Sequence, residues 1–209
     1  MRVCHIVGAG EFREDTFRPR AEDMIIAVDG GLARCPRYDM AVGDFDSLGY
    51  VPENGPVFRH PVMKDDTDMM LAVRMALEHG CTTLYLHGGA GGRTDHTMAN
   101  YHVLAFIAEQ GAQGYLFDGN GCVTCLQNGT LIFPAEHRGV LSVFAWDGEA
   151  RGVDLEGLLY PLQNGTLNGR MPLGVSNEFT GQTARVRVRE GKVLVFWQDP
   201  VWPMPERNT

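Results

Sequence analysis

Short apolar runs alternate with helix-period stretches through the first half of the chain, and the helix period disappears in the second half. Residues 2–7, 24–28, 40–42, 57–60 and 83–87 read as short strands, each followed by Gly- or Asp-rich turn signals. Between them, residues 66–79 place Met69, Ala72, Val73, Ala76 and Leu77 on one face, with Asp65 or Asp66 positioned to cap the start and Gly80 to stop the helix. A second helical pattern runs from about residue 94 to residue 110. Strands alternating with helices predict an α/β domain with a mainly parallel sheet.

After about residue 119, Gly and Asn recur between short alternating runs at residues 122–126, 130–133 and 140–145. Residues 184–189 and 192–197 flank Glu190-Gly191 and read as a hairpin. The expectation is two domains, residues 1–120 α/β and residues 121–209 all-β.

A formal charge of −8 argues against a nucleic-acid partner, since such proteins usually carry a basic stripe that displaces counterions from phosphates. A bound anion needs local help from a metal, Arg or Lys. No signal peptide or membrane-length apolar run is visible, which gives the expectation of a cytoplasmic protein with no membrane partner. Five scattered cysteines fit a reducing compartment, and Cys122 and Cys125 read as buried strand thiols because no second pair or nearby His completes a zinc spacing.

Aspartates follow successive predicted strands: Asp29, then Asp44 and Asp46, then Asp65, Asp66 and Asp68, then Asp95. The C-terminal strand ends of a parallel sheet lie along one edge, so these carboxylates are expected to converge there. The spacing of Asp44 and Asp46 puts both side chains on one side of an extended segment, where they can share a hard cation such as Mg2+. Each acid also has an ordinary reading, as a turn former or a helix-dipole partner. Gly88-Gly89-Ala90-Gly91-Gly92 lets the backbone approach a ligand, Arg93 offers a planar fork for phosphate, and Asp95 and His96 open the following helix. It is neither a Walker A loop nor a dinucleotide fingerprint, and Gly8-Ala9-Gly10 also lacks the third glycine.

Six motifs occur in order: Asp29-Gly30-Gly31, Gly43-Asp44-Phe45-Asp46-Ser47, Lys64-Asp65-Asp66-Thr67-Asp68, Gly91 through His96 with Asn100, Gly157-Leu158 with Tyr160-Pro161-Leu162, and the run from Gly174 to Phe179. Together they resemble the thiamine pyrophosphokinase family over nearly the whole chain. The resemblance implies an α/β N-terminal domain that binds ATP and Mg2+, a C-terminal β-sandwich that binds thiamine, and a homodimer with active sites between subunits. It also implies transfer of the β,γ-pyrophosphoryl unit of ATP to the thiamine hydroxyl, with AMP released. On this sequence, Asp44, Asp46 and Asp68 become the metal and phosphate organisers, with Asp29 close by and Asp95 at the substrate end. Ser47, Lys64, Arg93, His96 and Asn100 become nucleotide contacts, and Ser176 and Asn177 thiamine contacts. Asp68 and Asp95 both remain candidates for the general base.

Two other readings compete. In a phosphatase of the haloacid dehalogenase type, Asp44 is the nucleophile and Asp46 the acid, but that pair normally follows the first strand and here it lies well into the chain. A non-catalytic nucleotide- or thiamine-binding regulator is the other.

Overall fold

The computed structural model describes residues 2–45, 55–59, 66–200 and 202–208. Contacts divide the chain into two units, Met1–Gly119 and Asn120–Thr209.

In the first unit, β1 (Val3–Val7), β2 (Met24–Val28), β3 (Met40–Gly43), β4 (Val57–Arg59), β5 (Thr83–His87) and β6 (Gln113–Phe117) form a parallel sheet in the order β6-β5-β1-β2-β3-β4. All five residues of β2 are buried, as continuous apolar runs in covered parallel sheets are. Helix α1 (Asp68–Glu78) lies between β4 and β5, and α2 (Thr94–Glu109) between β5 and β6. Met69, Ala72, Val73 and Ala76 are the buried side of α1, at the expected spacing. Complete burial of side chains such as Val73, Leu104 and Ile107 contributes about 1.5–3 kcal/mol each. The cap of α1 differs from expectation. Thr67 accepts the Met70 N–H at 3.2 Å, while Asp66 instead receives Arg74 Nε at 3.0 Å. Residues 113–117, where the sequence predicts no element, form the strand β6, buried throughout.

The second unit is antiparallel. Its strands are β7 (Gly121–Phe133), β8 (Val140–Glu156), β9 (Leu162–Asn168), β10 (Asn177–Glu178), β11 (Ala184–Gln198) and β12 (Glu206–Asn208). β11 pairs with β7 on one side and β8 on the other, β9 and β10 pair with β8, and β12 with β7. The expected hairpin at Glu190-Gly191 is not formed: residues 184–198 are one strand, with a register shift between Val188 and Lys192. A two-residue reversal of the commonest kind needs positive φ at both central residues, and here only Gly191 (φ +102°) has it. The extra residues become a bulge that bends the strand while both flanking ladders continue. Similarly, the separate runs read at 122–126 and 130–133 are one strand through Asn128 (φ +43°).

Candidate active site

The strand order of the first unit reverses between β1 and β5, the position at which open α/β sheets bind ligands beyond their C-terminal strand ends. Two glycine-bearing loops, residues 8–11 and 88–92, leave the sheet at that point. The N–H groups of Gly8, Gly10 and Glu11 donate to the carbonyls of His87, Gly88 and Ala90 at 2.7, 2.8 and 2.9 Å. A Cβ on Gly10 would lie 2.5 Å from the Ala90 carbonyl oxygen, and one on Gly88 (φ +62°) 2.3 Å from that of Gly8. Only glycine allows this approach. Buried Asn100 donates its Nδ2 to the Gly89 carbonyl, so its amide holds the loop from α2.

Beneath the loops, His5 on β1 and His87 at the end of β5 are each 1% exposed, and His5 Nδ1 lies 3.1 Å from His87 Nε2. His5 Nε2 faces the Asp23 carboxylate at 3.6 Å. A carboxylate only accepts, so His5 carries its proton on Nε2 and accepts from His87 Nε2–H. Burial pushes His5 down to about 4 against the opposing pull of Asp23, and it pushes His87 well down too. Both rings are therefore neutral near pH 7, and His5 and Asp23 do not form an ion pair.

The carboxylates stand further along the same edge. Asp29 opens a short 3-10 segment, Asp29–Arg34, directly after β2. A Cβ on Gly43 would fall 1.8 Å from Asp29 Oδ1, so the glycine ending β3 makes room for this acid. Phe45, between Asp44 and Asp46, is not extended as the spacing suggested. It has φ +61° and is 2% exposed, packed with Ala27, Leu32 and Ala41, and its N–H donates to Asp29 Oδ1 at 3.4 Å. The middle residue of the acidic motif is thus an apolar anchor, which the sequence reading missed. Burial, then the charge of Asp68 and, more weakly, of Asp44, push Asp29 up to about 6, while the Phe45 N–H pulls the other way. Asp29, Asp44 and Asp68 therefore share one electrostatic environment, as the order of acids along the chain suggested. Asp46, Ser47, Lys64 and Asp65 lie outside the described residues.

Arg93 and Asp95 form a two-pronged pair at the start of α2, at 3.2 and 2.6 Å, both well exposed. Asp95 also accepts the His96 N–H at 3.0 Å, and Arg93 holds its carboxyl below the usual range. The guanidinium read as a phosphate fork is turned onto its neighbouring acid. His96 is exposed.

In the second unit, Ser176 is exposed with φ +56°, and its N–H donates to Ser142 Oγ at 3.0 Å. Asn177 is 3% exposed. Its Oδ1 accepts the N–H groups of Tyr160 and Glu178 at 2.9 Å each, and its Nδ2 donates to the Tyr160 carbonyl at 2.7 Å. This amide ties Tyr160 to β10 and helps line a cavity of about 160 Å³, whose other walls include Leu155, Leu162, Leu167, Leu173 and Val175. The apolar wall was not legible in the sequence, because its members come from β8, β9 and two loops. Cys122 and Cys125 are buried thiols on β7.

Residues 19–116 match the family described as thiamin pyrophosphokinase, catalytic domain, and residues 130–193 that described as thiamin pyrophosphokinase, vitamin B1 binding domain. Among curated proteins, the thiamine pyrophosphokinase of Bacillus subtilis (strain 168) is 28% identical over 163 residues, 75% of this chain and 76% of the relative. The crystal structure of thiamine pyrophosphokinase from Bacillus subtilis superposes with a TM-score of 0.84 at 23% identity, covering 96% of this chain and 100% of that one. A thiamin pyrophosphokinase family protein from Enterococcus faecalis gives 0.78 at 26%, covering 95% and 99%.

Proposed function

Because the chain belongs to the thiamin pyrophosphokinase family, we propose that it transfers the β,γ-pyrophosphoryl unit of ATP to the thiamine hydroxyl, forming thiamine diphosphate and AMP. The observation that carries the proposal is the gathering of Asp29, Asp44 and Asp68 at the C-terminal edge of a parallel sheet, in a chain matching both domains of the family in order. Asp29 is held up near 6 by burial and then by its acidic neighbours, a crowding of carboxylates that a divalent cation relieves. The donors are hard carboxylate oxygens, the kind Mg2+ prefers. Asp44, Asp46 and Asp68 would hold it, and once bound it would neutralise the triphosphate. Among the described residues no cluster of three metal-ligating side chains forms a ready-made site. Asp46 lies outside them, and phosphate oxygens complete such sites.

The chain's own residues bind and position. The thiamine oxygen attacks the β-phosphorus, the bond to the α,β-bridging oxygen breaks, and AMP leaves. Such transfers depend on alignment and charge stabilisation more than on covalent help from protein. Asp68 and Asp95 both stay candidate bases: Asp95 accepts from Arg93 and the His96 N–H, and Asp68 shares a hydrogen bond with Asp29. Asn100 and Asn177 act by holding the glycine loop and Tyr160, whereas Ser47, Lys64, Arg93 and His96 remain nucleotide contacts and Ser176 the thiamine contact. Arg93 must then exchange Asp95 for phosphate when the nucleotide binds.

Tyr160, Leu173 and Val175, which line the apolar cavity, are at least half exposed, as are Leu159 and Met171 near them in the chain. Such a patch on a soluble chain marks an interaction face, which supports a homodimer. The bulges in β8 and β11, with the bend in β7, support a sandwich in which the two halves of each long strand belong to different layers.

Incubating the purified protein with ATP, Mg2+ and thiamine, and separating the products by chromatography, tests the activity. AMP and thiamine diphosphate in equal amounts are expected, and a folded protein that forms neither refutes it. The haloacid dehalogenase and regulator readings are not favoured.

A further inference from the structure

Arg34 closes the short segment that Asp29 opens, and neither the order of motifs nor the acidic cluster points to it. Its Nη1 donates to the carbonyl oxygens of Gly8, at 3.3 Å, and Gly10, and its guanidinium lies over the Phe12 ring at 5.4 Å. Gly88 leaves the space it fills, since a Cβ there would lie 3.1 Å from Nη1. Gly31 sets the approach: a Cβ would fall 1.9 Å from the Val7 carbonyl oxygen, so only glycine lets this segment lie against the end of β1. One segment of six residues thus carries an acid facing the β3 exit at its first residue and a cation facing the β1 and β5 exits at its last.

The Gly8 and Gly10 carbonyls would otherwise turn negative dipole ends toward the switch point, which suits no anion. With both taken by a half-buried guanidinium, these dipole ends are compensated by a positive charge, while the Glu11 carboxylate of the same loop lies against Gly91. We propose that Arg34 is a positioning residue for the nucleotide, clasping residues 8–11 against residues 88–92 so that the switch point accepts a nucleoside triphosphate. The inference rests on the proposed pyrophosphoryl transfer. It adds a residue that acts through the loops and not on the phosphates.

The test uses the full chain with Arg34→Met and Arg34→Lys, varying ATP and thiamine separately. Loss of two charge-assisted hydrogen bonds raises the ATP KM about tenfold or more in Arg34→Met. The thiamine KM stays within about twofold, and Arg34→Lys falls between, having the charge without the fork. Amide hydrogen exchange at residues 8–11 becomes faster in Arg34→Met, and ATP with Mg2+ slows it much more in the wild type. Equal rises in both KM values, or a fall in kcat with a lowered thermal midpoint and unchanged KM, would mean a merely structural role and overturn the proposal. If the wild type forms no thiamine diphosphate, the functional reading fails, and the exchange measurement still decides the clasp: equal protection by ATP in wild type and Arg34→Met overturns it. Should Arg34→Met not fold, Arg34→Lys carries both measurements.

Discussion

Acid should destabilise this protein through His5 well before most of its carboxylates titrate. In the folded state His5 takes a proton only near pH 4, whereas an unfolded histidine does so near 6.5. The unfolded chain therefore binds the proton first as pH falls. The stability contributed by neutral burial is whole above about pH 6.5 and is lost progressively down to about pH 4. At 1.36 kcal/mol per pH unit, the loss between pH 7 and about pH 4.5 comes to about 2.5 kcal/mol. Asp23 and His87 face the ring across polar contacts, Phe17 and Tyr85 pack on it, and the nearby charge of Arg37 adds to the depression. Asp29 titrates in the same window with the opposite sign, so the useful quantity is the difference between wild type and His5→Asn, in which Asp29 cancels. Urea denaturation of both proteins from pH 7 to pH 4.5 gives it. His5→Asn should be the less stable at pH 7, and its deficit should shrink by about 2.5 kcal/mol on acidification. A deficit that does not change with pH, or a His5 ring resonance titrating near 6.5, refutes neutral burial.

Asp44→Asn and Asp46→Asn should each lower turnover by at least about a hundredfold while leaving the thermal midpoint within about 2 °C, because they remove a ligand and little packing. Equal activity at saturating Mg2+ would make both ordinary turn residues. Asp29 carries the reverse linkage: with its folded pKa raised to about 6, its stabilising effect is whole below the unfolded value near 3.8 and is lost as pH rises through about 6. Metal-free Asp29→Asn should therefore gain on wild type in thermal midpoint between pH 4 and pH 7, and Mg2+ should erase the gain. An unchanged gap would disprove the crowding. Asn177→Ala removes two amide contacts to Tyr160 and one to the Glu178 N–H, so it should raise the thiamine KM more than the ATP KM and cost about 1–3 kcal/mol. A larger effect on ATP would move Asn177 to the nucleotide side.

The first unit was readable because its signals are local. The periods of α1 and α2 and the apolar runs of β2 and β5 set those elements almost residue for residue, and the acids fall at strand ends because parallel strands share one edge. What escaped depends on contacts distant in sequence. Arg34 and Phe45 look unremarkable in the chain, and they gain their roles from Gly8, Gly10 and Asp29 brought alongside by the sheet. In the second unit, Glu190-Gly191 has the composition of a turn, yet β7 and β8 flank both halves of β11, so the strand continues through a bulge instead of reversing. Arg93 and Asp95 stand two residues apart, close enough for each to satisfy the other.

The position of β11 has a consequence for how the second unit is made. It is a 15-residue strand paired on both sides, and it leaves the ribosome after both partners. Until about residue 198 is available, β7 and β8 each wait with an open edge, and every pairing that closes them spans a long stretch of chain. Assembly of this unit should be slow and held until β11 has been made, whereas the parallel sheet, complete by Phe117, can form earlier. A premature stop before Ala184 would leave a finished first unit followed by β7 and β8, each lacking the partner that closes one of its edges.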